Sequence, residues 1–84
     1  MASTHFVYIA QCADSTLYCG YTTNISKRIN AHNQGIAAKY TRSRLPVNVV
    51  YSESFSSKSD ALKRELAIKR LPRQQKLKLI QGDP

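Results

Sequence analysis

Five side chains in this sequence carry the chemical groups needed to bind and cleave a phosphodiester. They are the phenols of Tyr8 and Tyr18, the guanidinium of Arg28, the imidazole of His32 and the carboxylate of Glu65. A guanidinium matches phosphate oxygens in a fork, and an imidazole changes its charge near neutral pH. A carboxylate can hold a hard cation such as Mg²⁺ when substrate phosphate supplies further oxygens. Together these groups indicate metal-assisted phosphodiester cleavage.

Each of the five residues also has an ordinary structural role open to it. Tyrosines are common half-buried residues of strands, and a lone histidine or arginine is most often packed or at the surface. Glu65 stands four residues before Lys69, so the two could form a helical ion pair. A zinc site is not indicated, because two His and two Cys show neither Cys-x-x-Cys nor His-x-x-x-His spacing.

The sequence around these residues predicts an α+β fold, with a three-stranded antiparallel sheet flanked by helices. Strand-forming patterns occupy three segments: 5–12, 16–23 and 47–55. Helical patterns occupy four segments: 25–34 after the N-cap Asn24, a short turn within 36–45, a helix from Ser57 to about Leu71, and one from Pro72 to Gly82. The predicted order is therefore β-β-α-(α)-β-α-α.

These elements must place the five side chains together if the residues are to act as one site. Arg28 and His32 lie one helical turn apart, on the same edge of an apolar stripe, and Glu65 occupies the matching edge of a later helix. The two tyrosines share a face of the hairpin only if its loop has three or five residues, for example with Cys12 opposite Thr16.

Composition indicates one small domain with a polyanionic partner. Residues 1–84 form a single domain with a core of about 5–80, and the net charge is +8. A generic basic surface is the simpler alternative. The sequence contains no signal-peptide pattern and no apolar run long enough to span a membrane, so a cytoplasmic monomer is expected. Two cysteines in such a chain are expected to be free thiols rather than a disulfide across the hairpin.

The sequence resembles the GIY-YIG nuclease domain. The first motif of that family appears as Phe6-Val7-Tyr8 and the second as Tyr18-Cys19-Gly20, followed in order by Arg28, His32 and Glu65. The resemblance covers about residues 5–80 and looks strongest to the small stand-alone bacterial members, which are similar to the N-terminal part of UvrC. Many members carry an Asn some three helical turns after the glutamate, where this chain has Leu77.

The resemblance implies a role for each of the five residues. Tyr8 would be the general base or the nucleophile, and Tyr18 would hydrogen-bond the phosphate or the attacking water. Arg28 would neutralise phosphoryl charge, and His32 would orient or deprotonate the attacking group. Glu65 would hold one Mg²⁺ or Mn²⁺ ion that stabilises the leaving 3′ oxygen. Since the ordinary pKa of tyrosine is about 10, nearby cations would have to favour the phenolate of Tyr8, and the candidates are Lys27, Arg28 and Lys39.

The implied substrate is nucleic acid, DNA rather than RNA, and the implied activity is an endonuclease of DNA repair or recombination. Candidate nucleic-acid contacts are Lys27, Lys39, Tyr40, Arg42, Arg44, Lys69 and Arg70. Tyr40 could stack on an unpaired base, or it could pack within an ordinary basic loop. A catalytically silent nucleic-acid-binding module with the same fold is the main alternative function. An adaptor that recruits a partner nuclease is a third.

Overall fold

The computed structural model describes residues 4–82 and has the predicted α+β architecture. Its elements are β1 (His5–Gln11), β2 (Leu17–Thr22), α1 (Ile25–Asn33), α2 (Lys39–Arg42), β3 (Asn48–Phe55), α3 (Lys58–Lys69) and α4 (Arg73–Gln81). The three strands form one antiparallel sheet in the order β2-β1-β3. Strand β1 is therefore central, and β2 is an edge strand.

The β1–β2 hairpin has the register that places both motif tyrosines on one face. Tyr8 lies opposite Gly20, and Ala10 lies opposite Tyr18. The amide of Cys12 donates to the carbonyl of Thr16 at 2.9 Å and closes a three-residue loop. Since opposed residues of an antiparallel pair share a face and alternate residues return to it, Tyr8 and Tyr18 project from the same side. The odd-numbered loop predicted from the sequence is confirmed.

Helices cover both faces of the sheet. On one face, Val7, Ile9 and Cys19 of the sheet pack with Ala61 and Ile68 of α3. The buried residues on the other face, which α1 covers through Ile29, are Tyr8, Ala10, Cys12 and Val47. The two cysteines therefore point to opposite sides of the sheet, and both are free. The expectation of free thiols is confirmed, and the alternative of a disulfide across the hairpin is wrong.

Helix α1 is fixed at both ends, and this orients the residues it carries. The side chain of Asn24 accepts a hydrogen bond from the amide of Lys27 at 3.0 Å, as predicted for an N-cap. After the helix, Gly35 takes a left-handed conformation with φ of 77°. The amide of Gly35 donates to the His32 carbonyl at 2.9 Å, and the amide of Ile36 donates to the Ala31 carbonyl at 3.1 Å. This pair of bonds is a Schellman motif, which ends the helix at a defined point.

A partly buried ion pair joins α3 to β3 on the face of the sheet that α3 covers. Arg64 donates from Nε and Nη2 to the carboxylate of Glu53 at 3.0–3.1 Å, and Tyr51 donates to the same carboxylate. Burial raises the pKa of Glu53, but its bonds to Arg64 and Tyr51 outweigh that effect and hold the pKa below its ordinary value. Glu53 thus has a structural role.

Within residues 4–82, no helix has the length and apolar character that crossing a bilayer requires.

Candidate active site

Gly20 makes room for the phenol of Tyr8. A Cβ atom at position 20 would lie 2.5 Å from the hydroxyl oxygen of Tyr8 and 2.7 Å from its Cζ. Because Gly20 is directly opposite Tyr8, the missing side chain lets the phenol of the central strand extend over the edge strand β2. Glycine inside a strand is otherwise unfavourable, and here its missing side chain accommodates Tyr8.

The substitution Gly20→Ala is expected to destabilise the protein by about 1–3 kcal/mol, because overpacking a full core forces side chains from their preferred positions. Tyr8 is only 1% exposed and has little room to move. Urea unfolding would measure the change. Since the hydroxyl is the nearest atom, the same substitution should cost less in a Tyr8→Phe background, and equal costs in both backgrounds would contradict this account.

A hydrogen-bonded chain links Tyr8 to α2 through His32. The hydroxyl of Tyr8 lies 2.8 Å from His32 Nε2, and His32 Nδ1 lies 2.9 Å from the hydroxyl of Thr41. Thr41 donates its single proton to the carbonyl of Ala38 at 3.2 Å. Thr41 must therefore accept from a protonated Nδ1, which leaves Nε2 as the acceptor for the hydroxyl proton of Tyr8. The chain thus points the proton of Tyr8 toward the imidazole.

Burial keeps the members of this chain uncharged near neutral pH. Burial raises the pKa of Tyr8, and the neighbouring Arg28 lowers it by less than burial raises it. Burial and the charge of Arg28 both lower the pKa of His32, which is fully buried. Arg28 favours the phenolate of Tyr8, as expected of one of the three candidate cations, but burial is the larger effect and the pKa of Tyr8 stays above its ordinary value. Tyr8 is a phenol hydrogen-bonded to a neutral imidazole.

Arg28 lies beside both motif tyrosines with part of its donor capacity unused. Its contact with the Tyr8 hydroxyl raises the pKa of Arg28, and Tyr18 adds to the effect. Nη2 makes a long bond of 3.5 Å to the carbonyl of Ala37. The buried Nε has no hydrogen-bond partner among residues 4–82. A buried donor without a partner is uncommon, so this site has the chemistry to receive an anion such as phosphate.

Tyr18 connects this cluster to the surface. Its ring meets His32 edge-on with centroids 5.2 Å apart and lies 6.4 Å from the ring of Tyr8. On the outer side, the ring of Tyr40 stacks on Tyr18 at 6.0 Å, and the guanidinium of Arg44 lies 4.2 Å above Tyr40. Tyr40 therefore packs, as one sequence interpretation proposed, yet 41% of its surface remains exposed.

Glu65 lies in the other helical layer. The thiol of Cys19 projects from the α3 side of the sheet and donates to the Glu65 carbonyl at 3.8 Å. The carboxylate of Glu65 is 3.6 Å from the ammonium of Lys69, so the predicted ion pair is present. The structure thus brings Tyr8, Tyr18, Arg28 and His32 together on one face and places Glu65 on α3, which covers the other.

A cleft at β2 lies between the two layers. We call it the edge cleft; it has a volume of about 250 Å³ and is lined by Leu17, Tyr18, Cys19, Tyr40, Lys69 and Lys76. Tyr18 and Tyr40 line it from the side of the tyrosine cluster, whereas Lys69, the ion-pair partner of Glu65, lines it from α3. A ligand in this cleft would touch side chains from both layers.

The remaining predicted nucleic-acid contacts are distributed around these features. Lys27 lines a second cavity of about 240 Å³ together with Arg28, at the start of α1. Arg44 is held by Asp14 at 3.0 Å. Lys39, Arg42 and Arg70 are exposed. Lys27, Lys39 and Arg42 lie on α1 and α2, whereas Lys69 and Arg70 lie at the end of α3.

A divalent ion would find one acidic ligand near the cleft. No three His, Cys, Asp or Glu side chains converge among residues 4–82. Asp14 and Glu53 are held by arginines, and Asp60 lies exposed in the first turn of α3. Mg²⁺ commonly takes one or two carboxylates and completes its shell with water and substrate phosphate. Glu65 fits that limited requirement as a single protein ligand.

Two residues of this site were missed by the sequence analysis. Thr41 lies within the basic run 39–42 and has no spacing that would mark it as a partner of His32. Lys76 is three residues after the start of α4, and nothing in its sequence context distinguishes it from the nearby Lys78. Only the packing of α2 and α4 against the sheet distinguishes them.

Comparison with known proteins identifies similar sequences and structures. The profile of the GIY-YIG catalytic domain family matches residues 4–78. The UPF0213 protein SH2523 of Staphylococcus haemolyticus is 58% identical over 77 residues, which cover 92% of this chain and 94% of that protein. The UPF0213 protein NP_0776A of Natronomonas pharaonis is 52% identical over 80 residues, which cover 95% and 94%.

Two solved structures have the same fold. The solution structure of the UPF0213 protein BH0048 from Bacillus halodurans has 42% sequence identity and a TM-score of 0.61, covering 93% of this chain and 83% of that one. The solution structure of protein EF2693 from E. faecalis has 40% identity and a TM-score of 0.64, covering 94% and 84%. Both the fold and the sequence are therefore shared with small proteins of similar length.

Proposed function

Because this chain belongs to the GIY-YIG catalytic domain family, we propose that it is a divalent-metal-dependent endonuclease that hydrolyses phosphodiesters in DNA. The observation that carries the proposal is the hydrogen-bonded chain from Tyr8 through His32 to Thr41, with Arg28 beside it. A buried phenol whose proton points toward a neutral imidazole is arranged for proton transfer, and the adjacent guanidinium is arranged to bind the phosphate.

Tyr8 acts as the general base through His32. As a water molecule attacks phosphorus, it gives a proton to the hydroxyl oxygen of Tyr8, and the original proton of Tyr8 passes to His32 Nε2. Thr41 accepts from Nδ1 and stabilises the imidazolium that forms. The route avoids a free phenolate, which the burial of Tyr8 disfavours.

Arg28 controls access to Tyr8. Tyr8 and His32 are almost completely buried, whereas Arg28 and Tyr18 are partly exposed. An incoming phosphate therefore meets Arg28 and Tyr18 first. Arg28 makes one long hydrogen bond, to the carbonyl of Ala37 at 3.5 Å, and also contacts the Tyr8 hydroxyl. An incoming phosphate would replace the weak bond to Ala37 and draw the guanidinium away from the Tyr8 hydroxyl.

Glu65 is the residue that would hold Mg²⁺ or Mn²⁺, one ion per site. The ion would supply positive charge for the oxygen that leaves phosphorus. In the absence of substrate, Lys69 neutralises the Glu65 carboxylate. A substrate phosphate near the edge cleft would bind the ammonium and reduce its hold on the carboxylate.

The basic surface supports nucleic acid as the substrate. A net charge of +8 on 84 residues attracts a phosphate backbone, and binding should weaken steeply as salt rises. The contacts come from Lys27, Lys39, Tyr40, Arg42, Arg44, Lys69 and Arg70. DNA is proposed over RNA, with repair or recombination as the setting, on the strength of family membership.

The substitution Thr41→Val is expected to lower the cleavage rate roughly two- to tenfold, because it removes the hydrogen bond from His32 Nδ1, worth about 0.5–1.5 kcal/mol. Without its acceptor on Nδ1, His32 can adopt the other tautomer, in which Nε2 no longer accepts from Tyr8. The pH–rate profile should shift as well, and Thr41→Ser should restore both rate and profile. A slower variant with an unchanged pH profile would show that Thr41 only packs.

The direct test of function is incubation of purified protein with supercoiled plasmid, single strands and branched DNA, with and without Mg²⁺ or Mn²⁺. Metal-dependent products that follow the protein through purification are expected. The second candidate, a silent binding module, is favoured by one observation: the carboxylate of Glu65 is already paired with Lys69. Metal-independent binding without products from any substrate would support that alternative.

A further inference from the structure

We propose that the edge cleft is a subsite for one unpaired nucleotide adjacent to the cleaved phosphodiester, with the base against Tyr18 and Tyr40 and its phosphate on Lys76. This inference rests on the proposed function, since it names the form of DNA that the same site accepts. It predicts selectivity for single-stranded or splayed DNA over intact duplex.

The chemistry of the cleft suits a nucleotide. Leu17, Tyr18 and Tyr40 supply apolar and aromatic walls, and Lys69 and Lys76 supply two ammonium groups. Bases bind to aromatic side chains with little regard to sequence, and cations along the groove hold the backbone. A cleft lined only by apolar groups would favour a lipid or peptide, whereas this one places positive charge beside aromatic rings.

The aromatic wall is held in position before a ligand arrives. Arg44 donates from Nε to Asp14 at 3.0 Å and from Nη1 to the carbonyl of Tyr40 at 2.7 Å, so its guanidinium is fixed above the Tyr40 ring. Tyr40 in turn stacks on Tyr18. Because the wall is already ordered, binding of a ligand costs less conformational entropy. Because Tyr18 and Arg44 both lie against the ring of Tyr40, a base would contact the exposed edge of that ring, which accounts for the 41% exposure of Tyr40.

Lys76 is the cation in the cleft that is available for a phosphate. The ammonium of Lys69 is 3.6 Å from Glu65, whereas Lys76 has no ion pair within residues 4–82. Lys76 is partly buried and lines the edge cleft together with Cys19 of β2. Lys78, two residues later on α4, is exposed and does not line the cleft. The two lysines thus differ in position but not in charge.

The cleft adjoins the reacting groups through Tyr18. One ring both lines the cleft and contacts Tyr8 and His32. A nucleotide held there would direct the neighbouring phosphodiester toward Arg28. A base within an intact duplex cannot reach the wall without losing its pairing and stacking, which costs a few kcal/mol. Unpaired nucleotides avoid that cost.

The test compares Lys76→Ala with Lys78→Ala in metal-free buffer, using fluorescently labelled single-stranded and duplex DNA of equal length. For Lys76→Ala, the slope of log affinity against log salt for single strands should decrease in magnitude by about 0.7, and the preference for single strands should fall. Lys78→Ala should weaken both forms equally and keep the preference. Addition of thymidine 5′-monophosphate should shift the NMR signals of Tyr18, Tyr40 and Lys76 more than inorganic phosphate does.

Equal effects of the two lysine variants on both DNA forms would overturn the subsite, as would equal binding of single strands and duplex by the wild-type protein. Because this assay needs no cleavage, it separates the two proposals. Lys76-dependent binding of single strands with no cleavage would retain the subsite and refute the nuclease. Cleavage that depends neither on Lys76 nor on whether the DNA is paired would refute the subsite and retain the nuclease.

Discussion

Tyr8→Phe is expected to reduce DNA cleavage by about 10²–10⁴-fold, which is the usual contribution of a general base. The change removes only the hydroxyl that accepts the proton of water and donates to His32 at 2.8 Å. The ring keeps its place over Gly20. Cleavage rates on plasmid and branched DNA would measure the effect.

The matched control is Tyr51→Phe. Tyr51 also loses a hydrogen-bonded hydroxyl in this change, but it donates to Glu53 on the α3 side of the sheet, away from the tyrosine cluster. Its variant should cleave at the wild-type rate after correction for stability. Tyr8→Phe itself leaves His32 Nε2 without a donor, at a cost of about 1–3 kcal/mol in the free energy of unfolding.

DNA affinity separates chemistry from binding in this pair of variants. Tyr8 is 1% exposed and contributes no charge to the surface, so its variant should bind DNA as the wild type does. A Tyr8→Phe protein that binds normally and cleaves at the wild-type rate would show that the hydroxyl is structural. Urea unfolding would show whether a loss of binding reflects a loss of folding. In that case Thr41→Val would be the test of the hydrogen-bonded chain from Tyr8 to Thr41.

Local signals in the sequence were sufficient to predict the helices and strands of this fold. Asn24 and Gly35 mark the two ends of α1 through a side-chain cap and a left-handed residue, interactions that need no distant partner. The hairpin register was predicted only on the condition that Tyr8 and Tyr18 share a face, and the structure meets that condition with three residues between Cys12 and Thr16. Helix caps and hairpin loops are formed by residues that are close together in the sequence, so local patterns can predict them.

The electrostatic state of the site required the assembled structure. Helical spacing placed His32 at the edge of an apolar stripe, but the packing of α2 buries it completely and gives it Thr41 as a partner. The same packing desolvates Tyr8, so its pKa rises where a count of nearby cations predicted stabilisation of the phenolate. Burial depends on contacts between elements distant in sequence, and composition does not report it.

The two-layer arrangement explains why the edge strand is central to the proposed function. Tyr8 comes from the middle strand and reaches β2 only because Gly20 has no side chain. Glu65 comes from the opposite layer and is connected to the cleft through Lys69. Groups from both layers can therefore act on one phosphodiester only where the sheet ends. A substrate strand crossing the free edge of β2 would satisfy that geometry.

Glu65→Gln is expected to reduce metal-dependent cleavage by about 10³-fold, because loss of the ion removes several kcal/mol of charge stabilisation and each 1.36 kcal/mol is a factor of ten. The amide keeps the shape of the side chain but binds Mg²⁺ poorly. In the pair with Lys69, the Lys69 side chain is 49% exposed and the Glu65 side chain 18% exposed. Loss of this partly exposed pair should cost about 1 kcal/mol of stability, so folding is preserved. DNA affinity should be unchanged or slightly higher, since one negative charge has gone.

Asp60→Asn is the control, because it makes the same charge change on the same helix. Asp60 is exposed in the first turn of α3, and its loss should lower stability by about 0.3–1 kcal/mol through the helix dipole without affecting cleavage. If Glu65→Gln cleaves as fast as Asp60→Asn across a Mg²⁺ titration, the metal assignment is wrong. The hydrogen-bonded chain from Tyr8 to Thr41 would then have to act without Glu65 as a metal ligand. The structure describes three other acids, and none of them can replace Glu65: Asp14 and Glu53 are held by arginines, and Asp60 is the control itself.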